Sequence, residues 1–425
     1  VRLLPHSSSD DQRKYRSEED LGIDKKRDPI LRFEEACVEG KIIFQKNFDK
    51  IRDKINSLVD EETEWAEKQA HPEKSTALDY IYSHDPPLEE TDFNEIRDKV
   101  VLVDAINHAL FEEMDRNDKM IIFGQDVADP KGGVFTATRG LTNKFGKGRV
   151  FNSPLAEASI VGTGIGMACA GWKPVIEIQF GDYIWTAMMQ IRNELVTMRY
   201  RSNNSWSCPV VIRVPVGGYI HGGLCHSQSI DGTFMHIPGI RIAYPSNAAD
   251  AKGLLKAACR MDDPVLFMEH KGLYRQGFAA TPEPDEDYIL PFGKARVVQY
   301  GAGLTLLTWG AMVQKSIEAV KKEGIDLGIV EIIDLRTLNP LDEETIGESI
   351  RKTGKVLVVH EDNITNGPGA EIAAIIADRH FEDLDGPIKR VGSADSPVPF
   401  NWFLEDVVLP HSQNIQNALK ELLEY

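Results

Sequence analysis

The chain has 425 residues, a formal net charge of −18 and 42% hydrophobic residues. That length is enough for two or three domains with sizeable cores. The acidic balance argues against a nucleic-acid-binding protein, which needs a basic face, and no apolar run reaches the length of a membrane span. The five cysteines lack CxxC spacing, which is typical of free thiols in a reducing compartment.

The first segment of the chain is polar. Residues 1 to about 28 carry many charges and no apolar period, which predicts a loop with freedom to move. From Asp28 to about residue 69 the pattern predicts two helices, the first ending at Gly40 and the second with an apolar stripe from Phe44 to Leu58. Residues 72 to about 98 contain Pro86-Pro87 and have the composition of a linker.

Between Val100 and about Lys271, strand and helix patterns alternate. Alternation of this kind predicts a mostly parallel sheet covered on both faces, with function at the carboxyl ends of the strands. Gln179 and Phe180 lie at such an end, and the loop 216–229 follows another. The predicted strands are 120–124, 173–180, 209–215, 240–245 and 264–270, and the predicted helices are 103–116 and 183–202.

The alternation resumes from about residue 288 after an acidic segment, 281–288, which we interpret as a linker. Gly367-Pro368-Gly369 is expected to open a helix whose N-terminus could bind an anion, although a tight turn is the favoured interpretation. The predicted strands are 295–300, 304–310, 327–335 and 355–361, and the predicted helix is 312–324.

One segment combines a single carboxylate with a helix of small residues. Ser153-Pro154 is a helix start signal, and the glycines at 162, 164 and 166 each cost about 1 kcal/mol relative to alanine. A sequence tolerates this cost where another element must pack closely. Taken alone, Glu157 is interpreted as a first-turn carboxylate that complements the helix dipole. The GTGIG run lacks a preceding strand, so we do not expect a Rossmann phosphate loop.

The wider pattern is more specific. The segment 151–171, together with EIQFGDYIW at 177–185, HGGLCHSQS at 221–229 and EIIDLRTLNP near the end, resembles the β subunit of branched-chain 2-oxo acid dehydrogenases. The resemblance begins near residue 95. Residues 1–28 resemble the regulatory loop near the end of the α subunit of the same enzymes, with Ser7 where that family carries a regulatory phosphoserine. The matching positions are Arg2, His6, Ser7, Asp10, Asp11, Tyr15 and Arg16, whereas Pro5 departs from the pattern.

The resemblance implies an α/β fold with two parallel-sheet domains of the transketolase-like pyrimidine-binding and C-terminal types, preceded by a helical tail. It divides the chain into an α-subunit-like tail with linker (1–92), a thiamine-diphosphate pyrimidine-binding domain (93–280) and a C-terminal domain (281–425). The simplest account is a fusion of the two subunits of which this chain is the C-terminal part; the alternative is a complete but degenerate chain.

The resemblance also assigns site residues. Glu157 would hydrogen-bond the pyrimidine ring nitrogen of thiamine diphosphate, and His226 and His6 would be proton donors, as suits a group that titrates near neutrality. His221 has a less defined role. For both His221 and His226, the alternative to a catalytic role is a structural one, in which the imidazole forms a hydrogen bond with the backbone of the loop. The implied cofactor-binding residues are Arg2, His6, Leu155, Glu157, Gln179 and Tyr183.

No metal ligands are expected in this chain. The family's Gly-Asp-Gly and Asn-Asn pair, which holds Mg²⁺ and the diphosphate, is absent, and Gly181-Asp182-Tyr183 does not qualify. Mg²⁺ requires oxygen ligands. We therefore expect them from an upstream α-like part or a second chain.

The function implied is oxidative decarboxylation of a branched-chain 2-oxo acid with acyl transfer to a lipoyl group on a transacylase partner. Alternatives are the same reaction on pyruvate, a transketolase-like ketol transferase, and a non-catalytic scaffold. A homodimer of fused chains is expected, without nucleic acid or membrane. The implied location is the bacterial cytoplasm, or the mitochondrial matrix in a eukaryote.

Overall fold

The computed structural model describes residues 1–326 and 328–425 and divides into two compact units, residues 1–77 and 78–425. Each unit is described by itself. The first unit is helical, with a 3-10 turn at Gln12–Lys14 and the helices α1 (Glu18–Lys26), α2 (Pro29–Glu39) and α3 (Gln45–Glu67). A further 3-10 turn follows at Lys74–Leu78.

Helix α1 shows that the loop prediction for residues 1–28 was wrong in part. The Ser17 side chain caps the helix by accepting from the Asp20 backbone N–H, and acidic residues fill its first turn. Lysines 25 and 26 occupy its last turn. Caps and end charges stabilise this helix in place of an apolar face. The two helices predicted over 28–69 are confirmed, with Asp28 and Gly40 as the caps of α2.

The second unit alternates helices and strands through most of its length. Its first half contains β1 (Glu95–Val100), α4 (Leu102–Arg116), β2 (Met120–Gly124), α5 (Leu141–Phe145), β3 (Val150–Asn152), α6 (Glu157–Cys169), β4 (Lys173–Glu177), α7 (Met198–Arg201), β5 (Val211–Val216), α8 (Asp231–Met235), β6 (Arg241–Ala243), α9 (Ala248–Arg260) and β7 (Val265–His270). The helix predicted over 183–202 is irregular: a 3-10 segment at Gly181–Ala187 and a π segment at Gln190–Leu195 precede α7.

Its second half contains β8 (Thr281–Pro284), β9 (Arg296–Gln299), β10 (Leu304–Thr308), α10 (Ala311–Glu323), β11 (Val330–Asp334), β12 (Thr337–Asn339), α11 (Glu343–Thr353), β13 (Val356–Asn363), α12 (Pro368–Arg379), β14 (Lys389–Ser393), α13 (Trp402–Val408) and α14 (Ser412–Glu424). The strand predicted at 327–335 is observed as β11, and Leu327 lies outside the described residues. Gly367-Pro368 opens α12 as expected.

Two sheets organise this unit. The larger has the order β12-β6-β7-β5-β4-β2-β3 and is parallel except for the β12–β6 pair. The smaller has the order β14-β13-β10-β11-β9 and is parallel except for the β11–β9 pair. The predicted parallel sheets are confirmed, so the carboxyl ends of β2, β4, β5 and β7 lie along one edge.

Both segments interpreted as linkers contain a strand. β1 and β8 pair antiparallel, with Val100 opposite Thr281 and Glu95 opposite Pro284. Glu283 in β8 is buried and contacts His108 and Lys252. Burial opposes its ionisation, but these partners prevail and hold the pKa of Glu283 at about 2. The acidic segment 281–288 therefore includes a buried carboxylate that is paired with His108 and Lys252.

Helix α6 packs closely on the larger sheet. A Cβ at Gly164 would lie 3.4 Å from Ile176 of β4 and 3.5 Å from Val210. The close approach predicted from the small residues is therefore observed at Gly164. On the other face, Leu102, Ile106 and Leu110 of α4 belong to the same buried cluster as Leu254 of α9. Among the described residues, no helix combines the length and apolar character needed to cross a membrane.

Candidate active site

The Glu157 carboxylate lies at the start of α6. This helix begins at Glu157 itself, three residues later than Pro154, so the predicted start signal was wrong by one turn. The carboxylate is half-buried and accepts two hydrogen bonds, from Gln125 Nε2 at 3.0 Å and from Thr186 Oγ1 at 3.3 Å. Two donors fix its orientation at the carboxyl edge of the sheet.

Gln125 connects Glu157 to Gln179. It directly follows β2 and is 3% exposed, and its backbone carbonyl accepts from Gln179 Nε2 at 3.1 Å. Its Oε1 is buried and has no hydrogen-bond partner among the described residues. A buried acceptor without a partner is costly, so this atom offers a place for a donor from a bound molecule.

A second group, formed by Tyr183, His226 and Phe180, is connected to Glu157 through Thr186. The Tyr183 hydroxyl is 2.8 Å from His226 Nε2, and the His226 ring meets the Phe180 ring edge-on at 4.6 Å between centroids. Burial raises the pKa of Tyr183, with smaller effects from the neighbouring Cys225 and Asp182. The phenol therefore stays protonated near neutrality. Thr186 Oγ1 is 3.2 Å from the Tyr183 carbonyl as well as close to Glu157, which joins the two groups.

Two residues that were predicted for the site, Leu155 and His221, have largely exposed side chains. Leu155 projects outward with 83% of its surface exposed, which leaves an apolar side chain two residues before Glu157 free for contact. His221 is not placed with His226. Its Nδ1 is bonded to the Glu405 carboxylate of α13, and its own side chain is largely exposed.

A buried lysine lies behind the aromatic ring of Phe180. Lys271 Nζ is 5.6 Å from the Phe180 ring centroid, is buried, and has no hydrogen-bond partner among the described residues. Burial lowers the pKa of Lys271 to about 8, against the opposing effect of Asp182. The Asp182 carboxyl has a raised pKa, chiefly through burial.

Sequence reasoning missed three of these residues. Gln125 carried a usable signal, because it directly follows a buried strand of a parallel sheet. Lys271 carried the same signal, because it directly follows β7, whereas Thr186 carried none, since its position depends on the turn geometry of the segment after β4.

The predicted residues of the first unit form their own cluster. Asp10 Oδ2 accepts from the Tyr15 hydroxyl at 2.5 Å and from the His6 backbone N–H at 2.9 Å. Arg2 Nη2 donates to the Tyr15 hydroxyl at 2.7 Å. The bond from Tyr15, then that from the His6 backbone, lowers the pKa of Asp10. Ser7 lies beside this cluster, with its Oγ 3.2 Å from Ser9 Oγ.

Comparison with known families accounts for most of the chain. The pyrimidine-binding domain of transketolase matches residues 98–276, the transketolase C-terminal domain matches 293–415, and the dehydrogenase E1 component matches 1–75. The chain is 46% identical over 327 residues to the 2-oxoisovalerate dehydrogenase subunit beta of Bacillus subtilis, covering 76% of this chain and 98% of that protein. The chain belongs to the family of 2-oxo acid dehydrogenase β subunits.

Other members of the family differ in the substrate that they are named for. The mitochondrial 2-oxoisovalerate dehydrogenase subunit beta 2 of Arabidopsis thaliana is 44% identical, over 76% of this chain and 89% of that protein. The pyruvate dehydrogenase E1 component subunit beta of B. subtilis is 40% identical, over 77% and 99%. A solved split-gene transketolase, an inactive β4 tetramer, has a TM-score of 0.61 at 22% identity, covering 76% of this chain and 98% of that one. It supports the transketolase-like fold.

Thiamine diphosphate is the cofactor implied by the pyrimidine-binding and E1 family models. The Glu157 carboxylate and the unpartnered Gln125 Oε1 fit an aminopyrimidine, whose ring nitrogen and exocyclic amino group need such partners. For Mg²⁺ the described residues offer no group of three or more His, Cys, Asp or Glu side chains arranged to hold an ion.

Proposed function

We propose that the chain acts in the oxidative decarboxylation of a branched-chain 2-oxo acid, with transfer of the acyl group to a lipoyl group on a transacylase partner. The observation that carries the proposal is the Glu157 carboxylate, which Gln125 and Thr186 hold at the N-terminus of α6. The branched-chain preference rests on the two relatives named for 2-oxoisovalerate, at 46% and 44% identity. Pyruvate is the second candidate, because a pyruvate-type relative is 40% identical.

Thiamine diphosphate, when bound, supplies a nucleophilic carbon and an electron sink. Glu157 would bind the pyrimidine ring nitrogen, sharing a proton with it. Gln125 would accept from the exocyclic amino group through its free Oε1, while Gln179 holds the Gln125 backbone in place. Leu155 would cover the ring with its exposed side chain. Together these residues would hold the pyrimidine by one charged contact, one neutral polar contact and one apolar contact.

His226 is the proposed proton donor toward the substrate. The Tyr183 hydroxyl and the edge contact with Phe180 hold the imidazole in one orientation. A donor held in one orientation transfers a proton efficiently when its pKa lies near the working pH. His6 and Arg2, from the α-like segment, are proposed as further members of the cofactor site, with His6 as a second proton donor.

The rest of the cofactor site is proposed to come from elsewhere. The Mg²⁺ ligands would belong to an upstream α-like part or a second chain, consistent with the E1 match at residues 1–75 preceding the β-type segments. We propose a fused chain that works as a homodimer.

The test of the proposed function is Glu157→Gln in the complete enzyme. The amide keeps the shape but cannot share a proton with the pyrimidine, so we expect thiamine-dependent decarboxylation of 3-methyl-2-oxobutanoate to fall at least about 100-fold, the range associated with losing one general acid–base group. Asp118→Asn, at a fully exposed carboxylate, is the matched control and should leave turnover intact. Unchanged turnover in Glu157→Gln with a normal melting temperature would remove the central claim.

Substrate preference is tested separately. We expect kcat/KM for 3-methyl-2-oxobutanoate to exceed that for pyruvate at least about 10-fold, the discrimination that a hydrophobic pocket gives for added methyl groups. The reverse order would assign the enzyme to pyruvate without affecting the role of Glu157.

A further inference from the structure

A cavity of about 550 Å³ lies away from Glu157, between α10 and the segment that follows β7. Both walls belong to the second unit. The volume falls within the roughly 300–1,000 Å³ that small-molecule sites occupy. The lining residues of α10 are 311, 314, 315, 317, 318, 321 and 322, which together cover one broad side of the helix.

Lys315 is the central charge of the cavity. It is half-buried, and its Nζ lies 3.8 Å from the centroid of the Tyr219 ring. No carboxylate among the described residues forms an ion pair with it, and burial lowers the pKa of Lys315 against the opposing attraction of the more distant Glu361, Glu318 and Asp406. Lys252, by contrast, is buried in contact with Glu112 and Glu283. A desolvated cation without an anionic partner is unfavourable, and a bound anion would satisfy it.

The rim adds further positive charge. Lys321 and Lys322 are exposed at its edge, and Glu318 is paired with Lys322, so the described lining is cationic in a chain of net charge −18. Its described residues include lysines and no arginine. Lysine binds phosphate as a point charge, whereas arginine binds both carboxylates and phosphates through two parallel hydrogen bonds. Three lysines against the single carboxylate of Glu318 therefore suit an anion with more than one negative charge, such as a phosphate, better than a singly charged carboxylate.

The rest of the lining is apolar. Phe278 is 58% exposed at the cavity, and Leu273 and Ile317 contribute aliphatic surface. Exposed aromatic rings beside a cationic patch are suited to a ligand with a flat apolar body.

We propose that this cavity binds an organic phosphate whose body is a flat ring system, with the phosphate on Lys315 and the ring against Phe278. The site adjoins the loop 216–229. Tyr219 has a φ of 62°, and its backbone N–H donates to Glu405 at 2.9 Å, while the Gly218 N–H donates to Glu361 at 2.6 Å. A ligand that displaces Lys315 from the Tyr219 ring acts on the loop that also carries His226, so occupancy would alter turnover.

The test is calorimetric titration of the full chain with ADP, in the presence of saturating thiamine diphosphate so that any second diphosphate site is filled. Adenosine and inorganic pyrophosphate are the partial probes, one lacking the charge and the other the ring. We expect ADP to bind at least 10-fold more tightly than either. Equal binding of adenosine would reduce the site to an apolar patch, and equal binding of pyrophosphate to a charge cluster; either result overturns the proposal.

Two variants locate the binding. Lys315→Gln and Phe278→Ala should each weaken ADP binding at least 10-fold, whereas Lys294→Gln, at an exposed lysine beside Glu344, should not change it. Thermal unfolding establishes that each variant is folded, and Phe278→Ala keeps the test valid if Lys315→Gln is unstable. No ADP binding by the native chain, or the same affinity in the folded variants, would refute the site. Loss of turnover in Glu157→Gln has no bearing on this result.

Discussion

The Tyr183 hydroxyl lies 2.8 Å from Nε2 of His226, and the Phe180 ring meets the same imidazole edge-on. Tyr183 and Phe180 belong to the segment after β4, whereas His226 belongs to the loop after β5. The contact therefore joins two loops at the carboxyl edge of the sheet, next to Glu157.

This contact predicts that Tyr183 and His226 act as a unit. We expect Tyr183→Phe to lower kcat about 10-fold and His226→Gln to lower it at least about 100-fold, the range for a general acid. The double variant should lose little beyond His226→Gln alone, because residues in direct contact are coupled by about 0.5–3 kcal/mol. Steady-state kinetics on the three variants give the coupling. Fully multiplicative losses would show that the tyrosine does not act through the histidine.

Gln125 is predicted to control cofactor binding. Gln125→Leu removes both the donor to Glu157 and the free acceptor at Oε1, so we expect the apparent Kd for thiamine diphosphate to rise at least 10-fold. Tryptophan fluorescence on titration with the cofactor measures the change. Gln228→Leu, which alters a partly exposed glutamine on the other loop, is the matched control. An unchanged Kd in Gln125→Leu would remove this residue from the cofactor site.

Arg213 is predicted to be essential for stability. Its guanidinium is fully buried and bonds Glu269 through two nitrogens, at 2.7 and 2.8 Å, and Glu177 at 2.8 Å. Arg213→Met leaves two buried carboxylates without their cation, which typically costs about 3–5 kcal/mol. Urea unfolding measures the loss. Arg379→Met, at an exposed pair with Glu343, should cost at most about 1 kcal/mol, and similar losses in both would contradict the argument.

Lys271 is predicted to reduce stability at neutral pH. Its pKa is about 8 in the folded chain and 10.5 ordinarily. Between pH 8 and pH 10.5 the unfolded chain keeps the Lys271 proton and the folded chain has lost it, so this residue makes the free energy of unfolding rise with pH. Below pH 8 the destabilisation by Lys271 reaches its full size. Lys271→Met should therefore raise the free energy of unfolding at pH 7, by on the order of 3 kcal/mol at most, with no gain above about pH 10.5.

The comparison for this prediction is Lys173→Met. Burial also lowers the pKa of Lys173 to about 8, but its Nζ donates to the Met261 carbonyl at 2.8 Å. Its removal leaves that carbonyl unpaired, so the gain should be smaller. Urea unfolding at pH 7 and pH 10 distinguishes the two variants. A destabilised Lys271→Met at pH 7 would show that the ammonium has a partner.

Asp10 is predicted to hold the N-terminal segment together. Asp10→Ala removes the acceptor for Tyr15 and for the His6 backbone, so trypsin should cleave at Arg13 and Lys14 several-fold faster than in the native chain. Glu61→Ala, at an exposed carboxylate of α3, is the control. Equal cleavage rates would mean that these bonds do not order the segment.

The sequence predicted the alternating elements of the second unit because buried parallel strands are continuous apolar runs with a clear signal. It failed where polar residues form structure. Helix α1 has no apolar face and is stabilised at its ends. Strand β8 lies in an acidic segment, and one of its carboxylates is buried. Composition alone does not distinguish a solvated carboxylate from one paired with His108 and Lys252, because the difference lies in contacts distant along the chain.

The sequence by itself determined the family and the two sheet-containing regions, and it predicted Glu157 as the acid, since these follow from local periodicity and long motifs. Tertiary structure alone decided which partners hold that acid, which of the two loop histidines faces Tyr183, and where an ammonium is buried without a counter-ion. Those features depend on distances between side chains 29 or more positions apart, as between Glu157 and Thr186. Such distances are fixed only when the strands come into register and bring their carboxyl ends to one edge.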